Sequence, residues 1–202
     1  MAQTTSLLRN KYWVLRHGRS IPNERGLIVS SMENGTLPEY QLAPGGVNQA
    51  QLAGELFQKV LKENSIPIEN GAQCKVMENL RERFFGPSFE LRSLDEYHEI
   101  YCTLDEQDPL MRPEGGERVD DVASRLAEAI VAMESLFQGC TILVVSHGDP
   151  LQILQALLNA TKLNTESSYD DLASRIQALA APSILSQHRK FNLRTGELRA
   201  VI

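Results

Sequence analysis

Tyr12-Trp13-Val14-Leu15-Arg16-His17-Gly18-Arg19-Ser20 is an apolar run that stops on a cation, an imidazole and a glycine. A buried strand ending this way places reactive groups at a sheet's edge. In open α/β sheets, ligands bind at that carboxyl edge. The same figure recurs far down the chain as Thr141-Ile142-Leu143-Val144-Val145-Ser146, followed by His147-Gly148-Asp149-Pro150. Two apolar strands that each deliver a His-Gly can bring two imidazoles to one pocket. For that, the strands at Tyr12 to Leu15 and Thr141 to Ser146 must lie adjacent or nearly so.

The totals set the frame around this pair. A length of 202 residues, 42% hydrophobic and 23% charged, fits one soluble globular domain spanning 1–202. A formal net charge of -6 argues against broad nucleic-acid binding. A local basic pocket in an acidic protein would select small anions. Cys74, Cys102 and Cys140 are scattered, odd in number and without metal-ligand spacing, as expected for free thiols in a reducing compartment. Met1 to Lys11 contains no apolar core of a secretory signal. No apolar run approaches the ~20 residues of a membrane span. The expectation is a cytoplasmic protein with no membrane or nucleic-acid partner; oligomeric state stays open.

Between the two His strands, the long segment Ser20 to Pro44 carries turn formers at Pro22-Asn23, Asn34-Gly35 and Pro38, and long aperiodic loops are commonly functional. Val47, Ala50, Ala53, Leu56, Phe57, Val60 and Leu61 repeat at helical spacing, which predicts an amphipathic helix from about Gly46 to Asn64. The irregular stretch 85–114 reads as a cap over the sheet edge. Gly115-Gly116-Glu117 should open a second long helix with Val119, Val122, Leu126, Ile130, Met133 and Phe137 on one face, closed by Gly139. Pro150 suits the first turn of a helix that turns Leu151, Leu154, Leu157 and Leu158 inward. A further helix is expected around Ser168 to Ala180. Lys190 to Leu193 and Glu197 to Ile202 around Thr195-Gly196 suggest a terminal hairpin. Strands alternating with helices imply an α/β three-layer sandwich with a mostly parallel sheet.

Taken alone, Arg16-His17-Gly18 fits a strand end with a solvated Arg and a capping His better than a reactive one. Glu82, between Arg81 and Arg83, fits a surface ion pair as well as a proton donor. His98 and His188 have no motif partners and read as ordinary surface or capping residues. The combination is more informative. Leu15-Arg16-His17-Gly18 with Ser20 and Asn23, Leu42 to Ala50, Leu80 to Gly86, Pro113-Glu114-Gly115-Gly116-Glu117 and Val144 to Gly148 occur in an order that resembles the histidine phosphatase superfamily, the phosphoglycerate mutase-like family. Arg118 stands where that family usually has Ser after its Pro-x-Gly-Glu helix entry.

The resemblance implies a phosphomonoester hydrolase that works through a phosphohistidine on a small phosphorylated substrate. His17 would be the nucleophile, and Arg16 and His147 would hold the transferring group. Asn23 and Gly148 would help bind the substrate. Glu82 would protonate the leaving oxygen and then deprotonate water. A neutral imidazole suits this chemistry at pH 7, and phosphoryl transfer otherwise needs positioning and charge neutralisation. Neither a cofactor nor a metal is implied. Phosphoglycerate-mutase-type phosphoryl transfer is an alternative. A catalytically inactive phosphate-ester binder with a regulatory role is another.

One part of the pattern is missing. The family places a further strand after the first long helix, ending in a Ser-x-x-x-Arg motif that supplies a second phosphate-binding guanidinium. From Gly26 through Leu80 this chain has no arginine. Pro67 to Leu80 leaves room for one short strand rather than the roughly 30 residues of a strand-helix unit. This reads as an internal deletion with its junction near Ile68 to Ala72, in a chain whose activity is impaired by it.

Overall fold

Apolar alternation makes Lys11–Arg16 a strand, β1, with Tyr12 and Val14 fully buried. The computed structural model describes residues 7–66, 72–97, 103–163 and 171–202. In chain order, α1 (Ile21–Arg25), α2 (Met32–Gly35) and α3 (Pro44–Glu63) follow the first strand. Then come α4 (Leu94–Tyr97), α5 (Thr103–Gln107), α6 (Val119–Leu136) and β2 (Thr141–Ser146). The chain ends with α7 (Gly148–Leu163), α8 (Leu172–Ala178), α9 (Pro182–Leu185) and β3 (Leu198–Ala200).

β1 is the centre of a three-stranded sheet ordered β2-β1-β3. It pairs in parallel with β2 from Lys11↔Thr141 to Arg16↔Ser146, as the repeated His-Gly figure requires. It pairs antiparallel with β3 from Trp13↔Ala200 to Leu15↔Leu198. The described sheet therefore holds one parallel and one antiparallel pair, rather than being mostly parallel. The expected terminal hairpin does not form. Residues His188–Phe191 make a 3₁₀ turn, and after Gly196 (φ 75°) the chain runs back along β1. An edge position beside an already buried strand satisfies the final backbone groups better than an isolated two-stranded ribbon.

The sheet is flanked on both faces. Tyr12, Val14 and Val144 point into the main core with Val122, Leu126 and Ile130 of α6 and Leu151, Leu154, Leu157 and Leu158 of α7. The predicted apolar faces of both helices are the ones buried, although α6 starts at Val119 with Arg118 as its N-cap rather than at Gly115. α8 covers the C-terminal part of the expected 168–180 helix; residues 168–170 lie outside the described residues. On the opposite face, Trp13 meets Phe57 of α3 edge-on, with ring centroids 5.6 Å apart.

That second layer is thin. α3 is amphipathic as predicted, yet only Gly46 and Ala53 are buried. Leu52 is 64% exposed, Leu56 51% and Val145 of β2 52%. β2 pairs on one side only among the described residues. The deletion junction expected near Ile68 to Ala72 falls mostly on residues 67–71, outside the described residues, and Ala72 to Met77 form no strand.

A buried polar cluster ties the N-terminal strand to the far end of α6. Fully buried Glu134 accepts hydrogen bonds from Tyr12 Oη (2.7 Å), Asn10 Nδ2 (2.9 Å) and the Arg9 backbone N–H (2.8 Å). Burial and then the Glu134 carboxylate hold the Tyr12 hydroxyl protonated, well above its usual range. Removing one donor leaves a buried carboxylate oxygen short of a bond. Tyr12→Phe should therefore lower the unfolding free energy by about 1–3 kcal/mol, read from the urea midpoint at unchanged m-value.

Candidate active site

The carboxyl ends of β1 and β2 meet, and both chains leave the sheet on a histidine. His17 N–H donates to Ser146 O (3.0 Å), extending the parallel ladder one step beyond the strand. The two imidazoles are neighbours inclined at 60°, with centroids 4.9 Å apart. Close backbone packing fixes the loop after His17. A Cβ on Gly18 would sit 1.9 Å from Gly46 O, and one on Gly46 would sit 2.0 Å from Arg19 O. The start of α3 can press against the Arg16-His17-Gly18 segment only because both positions are glycine.

These residues border a cavity of about 390 Å³. Arg16, His17, Asn23, Glu82, His147 and Gly148, the six residues singled out from the sequence, all line it. Asn23 also shapes its own helix: Ser20 Oγ accepts from Asn23 N–H, and Asn23 Oδ1 accepts from Ser20 N–H, a reciprocal cap on α1. Gly148 opens α7 and packs beside Arg16, whose guanidinium carbon would lie 3.4 Å from a Cβ there, at ordinary contact distance. The positive end of α7 thus faces the cavity beside a guanidinium, a favourable place for an anion. Arg16 Nη1 is anchored on Leu193 O (2.8 Å), while its buried Nε has no partner among the described residues.

The electrostatics separate the three titratable groups. His17 Nδ1 lies 2.7 Å from Gly18 O. A carbonyl only accepts, so Nδ1 carries the proton and Nε2 keeps its lone pair. Burial, assisted by Arg16, lowers the His17 pKa despite that bond, so the ring is neutral at pH 7. His147 is lowered as well, by burial first and then by His17, Arg16 and Arg125. Glu82 moves the other way. Burial and the nearby Asp149 push its carboxyl up to about 8, against the Arg83 N–H, Arg16 and Arg125. Its Oε2 stands 3.8 Å from His147 Nδ1. At pH 7 the site therefore holds two neutral imidazoles and a protonated carboxyl.

Two buried networks hold Glu82 in place, and the sequence reading missed both. Arg125 of α6 reaches Asn79 O (2.7 Å), Arg81 O (3.1 Å) and Glu82 O (3.2 Å), and also pairs with Glu117. Burial would raise the Glu117 carboxyl, but bonds from Arg125 and the Phe84 N–H bring it below the usual range. Next along the chain, fully buried Arg83 pairs with Asp105 (2.6 Å) and Asp149 (3.2 Å). Arg189 closes the square through Asp105 (2.7 Å) and Asp149 (2.7 Å). Glu82 is therefore no surface ion-pair member, since its neighbours Arg81 and Arg83 are committed to Glu117, Asp105 and Asp149. His188, expected at the surface, is fully buried, with Nδ1 2.6 Å from Leu185 O. His98 lies outside the described residues. The Leu80 to Gly86 motif pointed to the acid, but nothing in spacing joined it to residues 105, 125 or 189.

Asp105, Asp149 and His188 bring ligand-type atoms within 4.8 Å of one another. Arg83 and Arg189 already occupy both carboxylates, so a metal ion would have to displace two guanidiniums. Cys74 and Cys140 are exposed free thiols away from the cavity lining, and Cys102 lies outside the described residues. Among the described residues no helix is long and apolar enough to cross a membrane.

Comparison with solved structures returns many chains of this architecture. A phosphoserine phosphatase mutant from Entamoeba histolytica, in complex with phosphoserine, is 16% identical with a TM-score of 0.60, covering 94% of this chain and 88% of that one. YhfR from Bacillus stearothermophilus is 24% identical with a TM-score of 0.56, over 75% and 80% of the two chains. A mycobacterial glucosyl-3-phosphoglycerate phosphatase complexed with VO3 is 20% identical with a TM-score of 0.57, over 74% and 82%. At these identities the likeness is one of fold. No curated protein matches by sequence. The model of the histidine phosphatase superfamily (branch 1) matches residues 64–176, more than half of the chain and a span that contains both Glu82 and His147. With the two strand-end histidines meeting over one cavity, this chain belongs to the histidine phosphatase superfamily.

Proposed function

We propose that the chain is a phosphomonoesterase that forms a phosphohistidine on His17. The observation that carries this reading is the tautomer: His17 Nδ1–H donates to Gly18 O, which leaves the Nε2 lone pair for the cavity that His17 lines, 4.9 Å ring to ring from His147. His17 Nε2 attacks phosphorus, and the bond from phosphorus to the alcohol oxygen breaks. Arg16 neutralises charge on the equatorial oxygens, and His147 and the first turn of α7 hold them by hydrogen bonds. The protonated Glu82 gives its proton to the departing oxygen, then takes one from the water that attacks the phosphohistidine and releases phosphate. Asn23 and Gly148 line the pocket for the ester. The cap reading of 85–114 is supported by its described residues Phe85 and Leu94, which border the cavity, and by the Ile28 N–H that donates to Arg92 O. Glu90 pins the opposite loop by accepting from Ser30, Ser31 and Asn34.

In this reading turnover is slow. Arg16 and Arg189 are the arginines that line the cavity, and Arg189 is committed to Asp105 and Asp149. The exposed face of α3 and the one-sided β2 support a fold that has lost a strand and helix between them. One absent transition-state donor costs about 2.7–4 kcal/mol, or roughly 10²–10³ in rate. A form of the chain with a strand-helix segment restored beside β2 should melt higher and hydrolyse an aryl phosphate at least about a hundredfold faster. Equal melting and equal rates would remove the shortened-chain reading.

Trapping under alkaline quench, where a phosphoramidate survives, tests the intermediate. Labelled phosphate should be retained by the native chain and lost in His17→Ala. Glu82→Gln should slow release of a poor alkyl leaving group by about 10²–10⁴ while sparing a nitrophenolate, which needs little protonation. Equal losses on both would assign the acid elsewhere.

The pH dependence has a definite sign. Glu82 must be protonated to act as the acid, so turnover of an alkyl phosphate should fall as pH rises through about 8. His17 must be neutral, and its lowered pKa puts the acid limb below pH 6.5. A pH profile of kcat for alkyl and aryl substrates should show the alkaline fall only for the former.

A further inference from the structure

The cavity extends past the histidines along α7. Gln152 lies on that helix beyond the His147-Gly148 turn, is 5% exposed and lines the cavity. Its Nε2 donates a long bond to Asn192 Oδ1 (3.4 Å), another lining residue. Its buried Oε1 has no hydrogen-bond partner among the described residues. A buried amide oxygen left unmatched is unfavourable, and native interiors hold few of them. Such an acceptor on the wall of a ligand-sized cavity calls for a donor from the ligand.

The charge on this wall narrows the donor. Arg189, the cation beside Asn192, faces two carboxylates, and Arg83 shares them in the same square. Two guanidiniums against two carboxylates leave that wall balanced. It offers no net attraction to a second charged group of either sign on the substrate. A hydroxyl both donates and accepts. It can donate a hydrogen bond to Gln152 Oε1 and accept one from the Asn192 Nδ2 amide.

Resting on the phosphatase reading above, we propose that Gln152 and Asn192 form a subsite for an uncharged, hydroxyl-bearing leaving group, so that the substrate is a sugar- or polyol-type phosphate monoester rather than one with a second anionic group.

Phosphonates test this without turnover, because their carbon–phosphorus bond is not hydrolysed. Calorimetric binding of inorganic phosphate, propylphosphonate, 2,3-dihydroxypropylphosphonate and 2-carboxyethylphosphonate to the whole chain gives the comparison. The dihydroxypropyl compound should bind about tenfold tighter than the propyl one, as for one well-made buried hydrogen bond. In Gln152→Met that preference should fall to within about twofold, with phosphate binding unchanged. Asn192→Ala provides the same readout from the other side of the pair if the core variant does not fold. Equal binding of the propyl and dihydroxypropyl compounds to the native chain, with phosphate bound, overturns the subsite and leaves the phosphatase reading standing. Tightest binding of the carboxyethyl compound overturns it too. Failure of the native chain to bind even inorganic phosphate removes the phosphate site, and the subsite falls with it.

Discussion

The in-register parallel pairing of β1 with β2 is the constraint on which the site rests. Because Arg16 stands opposite Ser146, the next residue on each strand is a histidine, and both leave the sheet at the same height. A slip of one residue would turn Tyr12 and Val14 out of the core and swing their neighbours in. The buried alternation of β1 therefore sets the separation of the two imidazoles. Core packing against α6 and α7 and the chemistry at the strand ends are two results of one register.

Around this pair the protein spends charge lavishly and out of sight. Arg83, Asp105, Asp149 and Arg189 form a square that joins α5, α7, the Glu82 segment and the turn after α9. Ion pairs this deep add little net stability, because both partners lose their water, but losing one member strands the others. Their value here is geometric. Arg83 fixes the residue beside Glu82, and its guanidinium also lies 5.5 Å over the Phe85 ring that borders the cavity. Asp149 does double service, since it closes the square and helps keep Glu82 protonated. Glu82 thus takes its fixed position from Arg83 and Arg125, while burial and Asp149 raise its proton affinity against them.

How much of this was legible in the sequence depended on range. Period-two and helical alternation gave β1, β2, α6 and α7, because those patterns reflect a residue's own burial; α3 shows the helical period too, although much of its apolar face is exposed. The six cavity residues were legible because each sits in a short motif, five of them at a strand end or helix start and Glu82 in the irregular Leu80 to Gly86 segment. β3 was misread as half of a hairpin, since Thr195-Gly196 is turn-like locally and only the free side of β1 decides where the strand goes. Arg125, Asp105 and Arg189 were not legible at all. Each looks like an ordinary surface charge until the fold brings residues 82, 105, 149 and 189 together. The surface reading of His188 failed for the same reason.

The central place of β1 also bears on how the chain is made. Its two partners begin at Thr141 and Leu198, so the middle strand of the sheet leaves the ribosome well before either neighbour exists. At bacterial to eukaryotic synthesis rates, the 129 residues between Lys11 and Thr141 take on the order of ten seconds to translate. Throughout that interval Tyr12 to Leu15 is an apolar extended segment with its ladder groups unpaired, the kind of stretch that seeks edges on other chains. Sheet closure then waits on contacts between the two ends of the sequence, which places this protein among slowly folding topologies despite its high helix content.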